Sequence, residues 1–171
     1  MITLLPTQLH WIKDAADDPH DLCAHSPVNF RIDDIVLVRP EDGDWTVSAA
    51  ALYLLRTLER SHTSTAPVGS QLFPRSGHAL FLMPGDLEVT IIGCDQGPDF
   101  EILHIGSNLQ IRPSSGPALI VPITEWREAV HHFADAVQAF YDRCIPKEPL
   151  SPDDEQAYES FWQEWKRRRD R

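Results

Sequence analysis

Residues 80–123 constrain the fold of this chain more than any other stretch. Short runs rich in Ile, Val, Leu and Phe alternate there with the turn-forming clusters P-G-D, G-C-D-Q-G-P-D, G-S-N and P-S-S-G-P. Apolar runs at regular spacing, separated by such clusters, are typical of consecutive antiparallel strands. Apolar and polar residues alternate along 87–91, which indicates one buried and one solvated face. The stretch therefore predicts an antiparallel β-meander of about five strands over residues 79–123.

Three amphipathic helices are predicted to pack against this meander. Apolar residues recur with helical period over residues 46–60 and again from 125 to 144. Ser151, followed by Pro152 and two acids, is a typical helix start, so residues 124–169 are predicted to form two helices. Residues 1–45 are predicted to be irregular or strand-forming. The sequence thus predicts a single α+β domain over residues 1–171, because a chain of that length can bury a sizeable core.

Charge is distributed unevenly along the chain. The formal net charge is −11, but the run Lys166–Arg171 carries five of the 15 basic residues and one of the 26 acidic residues. Residues 1–165 therefore hold 10 basic and 25 acidic residues, a net charge of −15. Such a body repels nucleic acid and anionic membranes and attracts a basic partner. The basic run is predicted to complement the dipole of the last helix as a solvated tail.

The cysteines and the first residues indicate a compartment. The three cysteines are far apart and form no C-x-x-C pair, which favours free thiols in a reducing environment. Residues 1–18 lack the basic region, apolar core and cleavage site of a secretory signal. No run approaches the ~18 apolar residues of a membrane span. We therefore expect a cytoplasmic protein.

Two groups of residues could carry metal or nucleophile chemistry. His20, Cys23 and His25 lie within six residues, but no second half with zinc-site spacing follows them. Cys94 lies in a turn with His78 and His104 on neighbouring predicted strands, and a nucleophile pair would require hydrogen-bond contact between them. The glycine-rich segments match neither a dinucleotide fingerprint nor a phosphate-binding loop. We expect no cofactor, no metal and no enzymatic activity.

Acidic residues are concentrated in two candidate binding patches. Asp95, Asp99 and Glu101 could be read as paired carboxylates for acid–base work, but a charged binding surface suits their place in turns and at a sheet edge better. The first patch is therefore predicted to contain Asp86, Glu88, Asp95, Asp99 and Glu101. The second patch contains Asp33, Asp34, Glu41, Asp42 and Asp44.

Three stretches together resemble a known class of proteins. They are W-T-V-S-A-A-A-L-Y-L-L-R-T-L-E-R-S-H-T over 45–63, the segment from S-G-H-A-L to F-E-I-L-H over 76–104, and V-P-I-T-E-W-R-E-A-V-H-H-F-A-D-A-V-Q-A-F-Y over 121–141. The combination, which with F-W-Q-E-W-K-R-R covers about two thirds of the chain, resembles the small immunity proteins of bacterial contact-dependent growth inhibition and related polymorphic toxin systems. The resemblance implies a role rather than particular residues: binding one cognate toxin domain, often a basic nuclease, and blocking it.

Two other functions fit the sequence as alternatives. A small metal-dependent or Cys/His hydrolase would use the histidine and cysteine groups above, and would carry stoichiometric metal in the first case. A regulatory binding module without a toxin partner is the other alternative. The immunity reading predicts a toxin-binding surface made of the two acidic patches, with no nucleic-acid or membrane partner.

Overall fold

The computed structural model describes residues 1–12, 16–83, 85–94 and 96–171, and they form an α+β fold, as the sequence predicts. Within these residues the strands are β1 Ile2–Pro6, β2 His25–Ser26, β3 Val28–Ile32, β4 Ile35–Val38, β5 Trp45–Thr46, β6 Ser76–Phe81, β7 Thr90–Cys94, β8 Phe100–Ile105, β9 Asn108–Pro113 and β10 Leu119–Pro122. The helices are α1 Val47–Arg56, α2 Ile123–Tyr141 and α3 Pro152–Arg169, with a single 3-10 turn at Pro40–Asp42.

The strands of the predicted meander lie in two sheets rather than one. Strands β6 and β7 form a two-stranded antiparallel sheet, whereas β8, β9 and β10 form a three-stranded one in the order β10-β9-β8. The connection between β7 and β8 does not make a tight hairpin, because it binds the preceding loop. The N–H of Phe73 donates to the carbonyl of Pro98, 3.2 Å away, and the N–H of Leu72 donates to Asp99 Oδ1 at 3.0 Å.

The hairpin between β8 and β9 forms where the sequence predicts it. Ile105 pairs with Asn108, which leaves Gly106 and Ser107 as a two-residue turn. Gly106 has a φ of +60°, a left-handed conformation that costs glycine little because it has no Cβ. A third sheet, ordered β1-β3-β4, holds the first residues of the chain, and β2 pairs with β5.

Helix α1 lies at the centre of the core. All ten of its residues are buried, so it is covered on every side and not on one stripe alone. Its sequence V-S-A-A-A-L-Y-L-L-R suits that position, since a helix that is apolar all round is a buried helix. It is shorter than predicted and ends at Arg56, after which Thr57 Oγ1 donates to the carbonyl of Leu54 at 2.6 Å.

Aromatic side chains join the sheets to the helices. The ring of Phe30 on β3 lies 5.5 Å from that of Phe100 on β8 and 5.8 Å from that of Trp126 on α2, measured between centroids. Phe73 packs against Phe30 and Phe133 in the same cluster. Such pairs add about 0.5–1.5 kcal/mol each beyond the area they bury. The elements therefore share one hydrophobic core.

The predicted start of the last helix is confirmed. Ser151 is the N-cap of α3, its hydroxyl accepts from the N–H of Asp154 at 3.2 Å, and Pro152 occupies the first helical position. Such a cap stabilises a helix by about 1 kcal/mol.

A lysine with a buried side chain connects the N-terminal loop to the segment between α2 and α3. Lys147 Nζ lies 2.8 Å from Asp17 Oδ1 and 3.4 Å from the centroid of the Trp11 ring, and only 2% of its side chain is exposed. The carbonyl of Asp18 accepts a further hydrogen bond from the same ammonium group at 2.9 Å. Carboxylate, carbonyl and aromatic face together compensate the charge that burial would otherwise penalise.

A network of three arginines and three glutamates connects α1, α3 and the β6–β7 hairpin. We call it the ion network; it consists of Arg56, Arg60, Arg168, Glu59, Glu88 and Glu164. At its centre Glu164, fully buried, accepts from Arg56 Nε and from Arg168 Nε, both at 2.8 Å. Arg56 also donates to the backbone carbonyls of Val68 and Val89 at 2.7 Å each.

Complete hydrogen bonding keeps this buried centre charged. Burial alone would raise the pKa of Glu164, but the hydrogen bonds and charges of Arg56, followed by those of Arg168, outweigh burial and lower that pKa. The N–H of Val89 donates to the same carboxylate at 2.9 Å. A buried charge is tolerated only when it is paired and hydrogen-bonded in this way.

The basic run at the end of α3 is not the solvated tail that the sequence predicts. Arg168 is only 4% exposed and binds Glu59 and Glu88 as well as Glu164. Arg169 makes two hydrogen bonds to the carboxylate of Asp135 on α2, at 2.6 and 2.8 Å. The helix-dipole part of the prediction holds, since Lys166 to Arg169 form the last turn of α3. The solvated part was wrong for Arg168 and Arg169, because Glu59, Glu88 and Asp135 bind them from far away in the sequence.

Replacement of Glu164 by glutamine tests the ion network. We expect Glu164→Gln to lower the free energy of unfolding by about 3–5 kcal/mol, because two buried arginines lose their shared counter-charge. Urea denaturation monitored by tryptophan fluorescence measures this. Glu159→Gln, at an exposed position on the same helix, is the matched control and should change stability by less than about 0.5 kcal/mol. Equal effects of the two substitutions would contradict the role assigned to the network.

Candidate protein-binding surface

The turn between β3 and β4 presents two consecutive carboxylates. Ile32 pairs with Ile35, so Asp33 and Asp34 form a two-residue turn, and Asp33 has a φ of +51°. Aspartate is one of the few residues with a side chain that tolerates this conformation. Asp34 is exposed, and the amino group of Met1 donates to Asp33 Oδ1 at 2.6 Å.

An open groove runs beside this turn, between strand β1 and helix α2. Its volume is about 710 Å³. The strand side is lined by residues 1–5, and the helix side by Glu125, Glu128, Ala129 and His132. We call this groove, together with the neighbouring turn residues Asp33 and Asp34, the acidic groove.

Helical geometry explains why Glu125, Glu128, Ala129 and His132 of α2 form one wall of the groove. They are spaced at i, i+3, i+4 and i+7, so they form a single stripe along the helix. On another face of α2, Trp126, Val130 and Phe133 are fully buried in the core and hold the helix in place. Glu125, Glu128 and His132 are exposed, and Ala129 is half-buried. The wall is therefore rigid in its backbone and acidic in its side chains.

The field in the groove is negative. Among the described residues that line it there is no lysine or arginine. Of the described residues that line the groove, Met1 carries the one fixed cation, its amino group. The hydrogen bond to Asp33, together with the charges of Asp33 and Glu125, raises the pKa of that amine. Because the amine is exposed, water and salt screen its charge.

The other acids of the second predicted patch lie in internal contacts or apart from the groove. Asp42 accepts a hydrogen bond from the backbone N–H of Arg39 at 2.8 Å, within the 3-10 turn. Asp44 Oδ2 lies 2.9 Å from Nε2 of His10. Glu41 is exposed.

The first predicted patch does not form one free acidic surface. Glu88 belongs to the ion network, where both of its oxygens accept from Arg60 at 2.6 and 2.7 Å. Glu101 lies 3.6 Å from Arg112 on the neighbouring strand. Asp86 is exposed, while Asp95 lies outside the described residues. Glu88 and Glu101 thus each lie beside an arginine of the same chain.

Asp99 has a structural partner of its own. Its Oδ1 accepts from the N–H of Leu72 and lies 3.0 Å from Nε2 of His62. The other ring nitrogen of His62 accepts from the backbone N–H of Val68 at 3.0 Å, so the proton of the neutral ring lies on Nε2 and is donated to Asp99. His62 is only 2% exposed. The pair fixes the loop that precedes β6 to the start of β8.

The residues considered for metal or nucleophile chemistry are separated by the fold. His20 Nδ1 lies 2.7 Å from the carbonyl of Glu148, whereas Cys23 is buried, and burial raises the pKa of its thiol. His25 is buried beside the ring of His10, and burial lowers its pKa. In the part of the chain that the structure describes, no group of three or more His, Cys, Asp or Glu side chains is arranged to hold a metal ion.

The second such group falls partly outside the described residues. The side chains of His78 and Cys94 lie outside the described part of the chain. His104 Nε2 lies 2.8 Å from the carbonyl of Thr57. Thr57 also accepts from the indole N–H of Trp126, which makes His104 part of a polar contact between β8, α1 and α2.

The two glutamates of α2 were missed at the sequence level. Glu125 and Glu128 are ordinary exposed positions of an amphipathic helix, and nothing in their local pattern separates them from Glu155 or Glu159. One weak signal for a surface groove was present in the sequence. Glu125 and Glu128 are three residues apart and so share one helix face, and the small residue Ala129 lies on the same face. Their importance comes from the strand beside them, which the sequence does not place.

Comparison with known proteins gave no match: no family model, no curated protein and no solved structure is similar to this chain at the level of significance required. The acidic groove is therefore interpreted from its own geometry and chemistry. None of the helices in the described ranges is long and apolar enough to cross a membrane.

The pairing of Glu88 predicts a pH-dependent contribution to stability. Its hydrogen bonds to Arg60, with the charges of Arg56, Arg60 and Arg168, lower its pKa to about 2 from 4.5. A carboxylate with a depressed pKa stabilises the folded state above its unfolded pKa, and this stabilisation is lost as the pH falls through the folded value.

We therefore expect Glu88→Gln to be less stable than the wild type at pH 6 and to approach it as the pH falls from about 4.5 towards 2. Urea denaturation across this range measures the difference. Asp86→Asn, at an exposed site of the same hairpin, should show no such convergence. A destabilisation by Glu88→Gln that is independent of pH would refute the electrostatic explanation.

Proposed function

We propose that this protein binds a basic protein domain through the acidic groove and thereby neutralises it, as an immunity protein in the cytoplasm of the cell that makes the cognate toxin. The observation that carries the proposal is the groove itself, an open concave surface lined by Glu125 and Glu128 and by no lysine or arginine among the described residues. Asp33 adjoins it through the hydrogen bond from the amino group of Met1, and Asp34 follows in the same turn. The resemblance of residues 45–63, 76–104 and 121–141 to immunity proteins supplies the partner class.

The chemistry of a nuclease suits such a surface. Nucleases hold the phosphates of their substrate with lysine and arginine, so their active surface is basic. An inhibitor that presents carboxylates in a concave surface is attracted to those cations and excludes the phosphates from them. Long-range attraction of this kind raises the association rate, which suits a protein that must capture a toxin before it acts.

Contacts of the carboxylates within the chain favour the acidic groove over the first predicted patch as the binding surface. Glu88, Asp99 and Glu101 face Arg60, His62 and Arg112 of their own chain, so a partner would have to displace these groups or share the carboxylates with them. No such competitor is found for Asp34, Glu125 or Glu128 among the described contacts. Unpaired exposed carboxylates keep their full field for a partner.

Co-expression with the protein encoded immediately upstream tests the function. We expect a one-to-one complex on co-purification and rescue of growth when that upstream protein is toxic. A toxic neighbour that is neither bound nor neutralised would contradict the proposal. Genomic context supplies the candidate: a large secreted protein with a variable C-terminal domain.

Charge reversal tests the surface. We expect Asp34→Lys combined with Glu128→Lys to lower the association rate about tenfold or more at low salt, with a smaller effect at high salt. The matched control is Glu155→Lys combined with Glu159→Lys, which makes the same change in net charge at exposed sites of α3. Stopped-flow or surface-binding kinetics at two ionic strengths measure both rates.

A third variant separates the surface from the function. Asp86→Lys combined with Glu101→Lys reverses charge in the first predicted patch. If this variant loses binding while the groove variant keeps it, the protein is an inhibitor that uses the other face, and the assignment of the groove is wrong. Equal losses in the groove variant and the α3 control would show that only the net charge matters.

A further inference from the structure

We propose that the outer edge of β1 receives an extended segment of the partner as an added β-strand, with basic side chains directed at Glu125 and Glu128. The identity of the partner as a basic protein rests on the proposed function. The strand addition itself rests on the backbone of residues 1–6 and on the shape of the groove.

Strand β1 lies at the edge of its sheet and pairs on one side only. The sheet order is β1-β3-β4, and the register of β1 with β3 runs from Ile2 opposite Ile32 to Pro6 opposite Val28. At its two ends the carbonyl of Met1 accepts from the N–H of Asp33, and the N–H of Thr7 donates to the carbonyl of Pro27, both at 2.9 Å.

The alternation of an antiparallel ladder then fixes the direction of every backbone group in β1. Odd-numbered residues share the hydrogen-bonded pairs with β3, so the N–H and C=O groups of Ile2 and Leu4 point away from β3. The carbonyl of Pro6 points the same way, whereas its nitrogen carries no hydrogen. Leu4 is only 2% exposed, whereas Ile2 and Pro6 are half-buried. The open part of the edge thus offers the N–H and C=O of Ile2 and the C=O of Pro6 to an added strand.

The groove follows this edge rather than a face of the sheet. Its strand side is formed by five consecutive residues, Met1 to Leu5. A pocket on one face of a strand would be lined by alternate residues, because side chains point to opposite faces in turn. A lining of consecutive residues indicates that the backbone itself forms the wall.

The opposite wall determines the chemistry of the segment. The side of the sheet that carries Leu4 and Phe30 packs against α2 through Trp126, so an added strand would direct every second side chain at the α2 stripe. Glu125 and Glu128 on that stripe favour lysine or arginine, and Ala129 between them leaves room for their stems. A segment of about five residues, roughly 17 Å long, would match β1.

Charge also excludes the commonest alternative occupant. A second copy of the chain added at the same edge would bring its own Glu125 and Glu128 towards those of the first. Like charges placed together cost several kcal/mol at an interface. A basic partner has the opposite effect, since each of its cations is placed beside a carboxylate.

A peptide binding experiment tests the strand addition without any knowledge of the partner. The probe is the heptapeptide Thr-Lys-Val-Lys-Val-Lys-Thr, and its control is the same peptide with its internal backbone nitrogens methylated, which keeps the charges but removes the donors. We expect the first peptide to perturb the amide resonance of Ile2 and to slow its hydrogen exchange about tenfold or more. The amides of Thr3 and Leu5, already bonded to β3, should change far less.

Two substitutions at one position separate the backbone from the side chain. Ile2→Pro removes an outward N–H while leaving the bonds to β3, and Ile2→Ala removes most of the side chain while keeping that N–H. We expect the proline variant to bind the peptide at least tenfold more weakly than the alanine variant. Thermal unfolding of both variants establishes that each is folded. Equal binding by the two, or peptide-induced shifts confined to surfaces away from β1, would overturn the strand addition.

The outcomes keep this inference distinct from the proposed function. If a cognate toxin is neutralised equally well by Ile2→Pro and Ile2→Ala, the function stands and strand addition is overturned. If the peptide adds to β1 but the co-expressed neighbour is not bound, strand addition stands and the proposed function fails. Self-association that depends on Ile2 and is unaffected by the peptide would identify a second copy as the occupant and overturn the basic partner.

Discussion

The buried carboxylate of Glu164 connects the central helix, the last helix and the segment that precedes β7. It joins Arg56 at the end of the central helix to Arg168 near the end of the last helix, and it accepts from the backbone of Val89 beside β7. Arg56 in turn binds the carbonyls of Val68 and Val89. Elements that would otherwise contact through apolar surface alone are thereby fixed in direction, because charged hydrogen bonds tolerate little displacement.

The structure contains acidic residues that pair with arginines of the same chain and acidic residues that do not. Glu59, Glu88 and Glu164 neutralise arginines within the chain, so they contribute little field to the surface. Among the contacts of the described residues, the acids around the β3–β4 turn and the start of α2 have no such partner apart from the amine of Met1. The large negative charge of the chain therefore has its outward effect in a few places, and the acidic groove is one of them.

Local signals in the sequence were sufficient for the elements that depend on neighbouring residues. The cap of α3 involves residues three apart, and the β8–β9 turn needs only one glycine in a left-handed conformation, so both could be predicted. The α+β class followed from the period of the apolar residues. Contacts between distant residues could not be predicted: Arg56 and Glu164 are 108 positions apart, and each looks like an ordinary polar residue of a helix.

The same reason explains the errors at the candidate site. The connection before β8 has the composition of a tight turn, but its contacts with Leu72 and Phe73 separate the predicted meander into two sheets. The basic run of α3 was interpreted by its position in the helix, whereas its carboxylate partners determine its role. The groove requires β1 and α2 to lie side by side, and the 116 residues from 7 to 122 separate the two elements in the chain. No local sequence pattern operates over such a separation.

Separation of the stabilising charges from the exposed ones has an evolutionary consequence. Substitutions at Glu125, Glu128 or Asp34 remove no buried contact, so each should leave the folded state nearly intact while changing which cations are complemented. The ion network, by contrast, admits few replacements. The charge presented at the groove could therefore change step by step in a lineage without passing through unfolded intermediates.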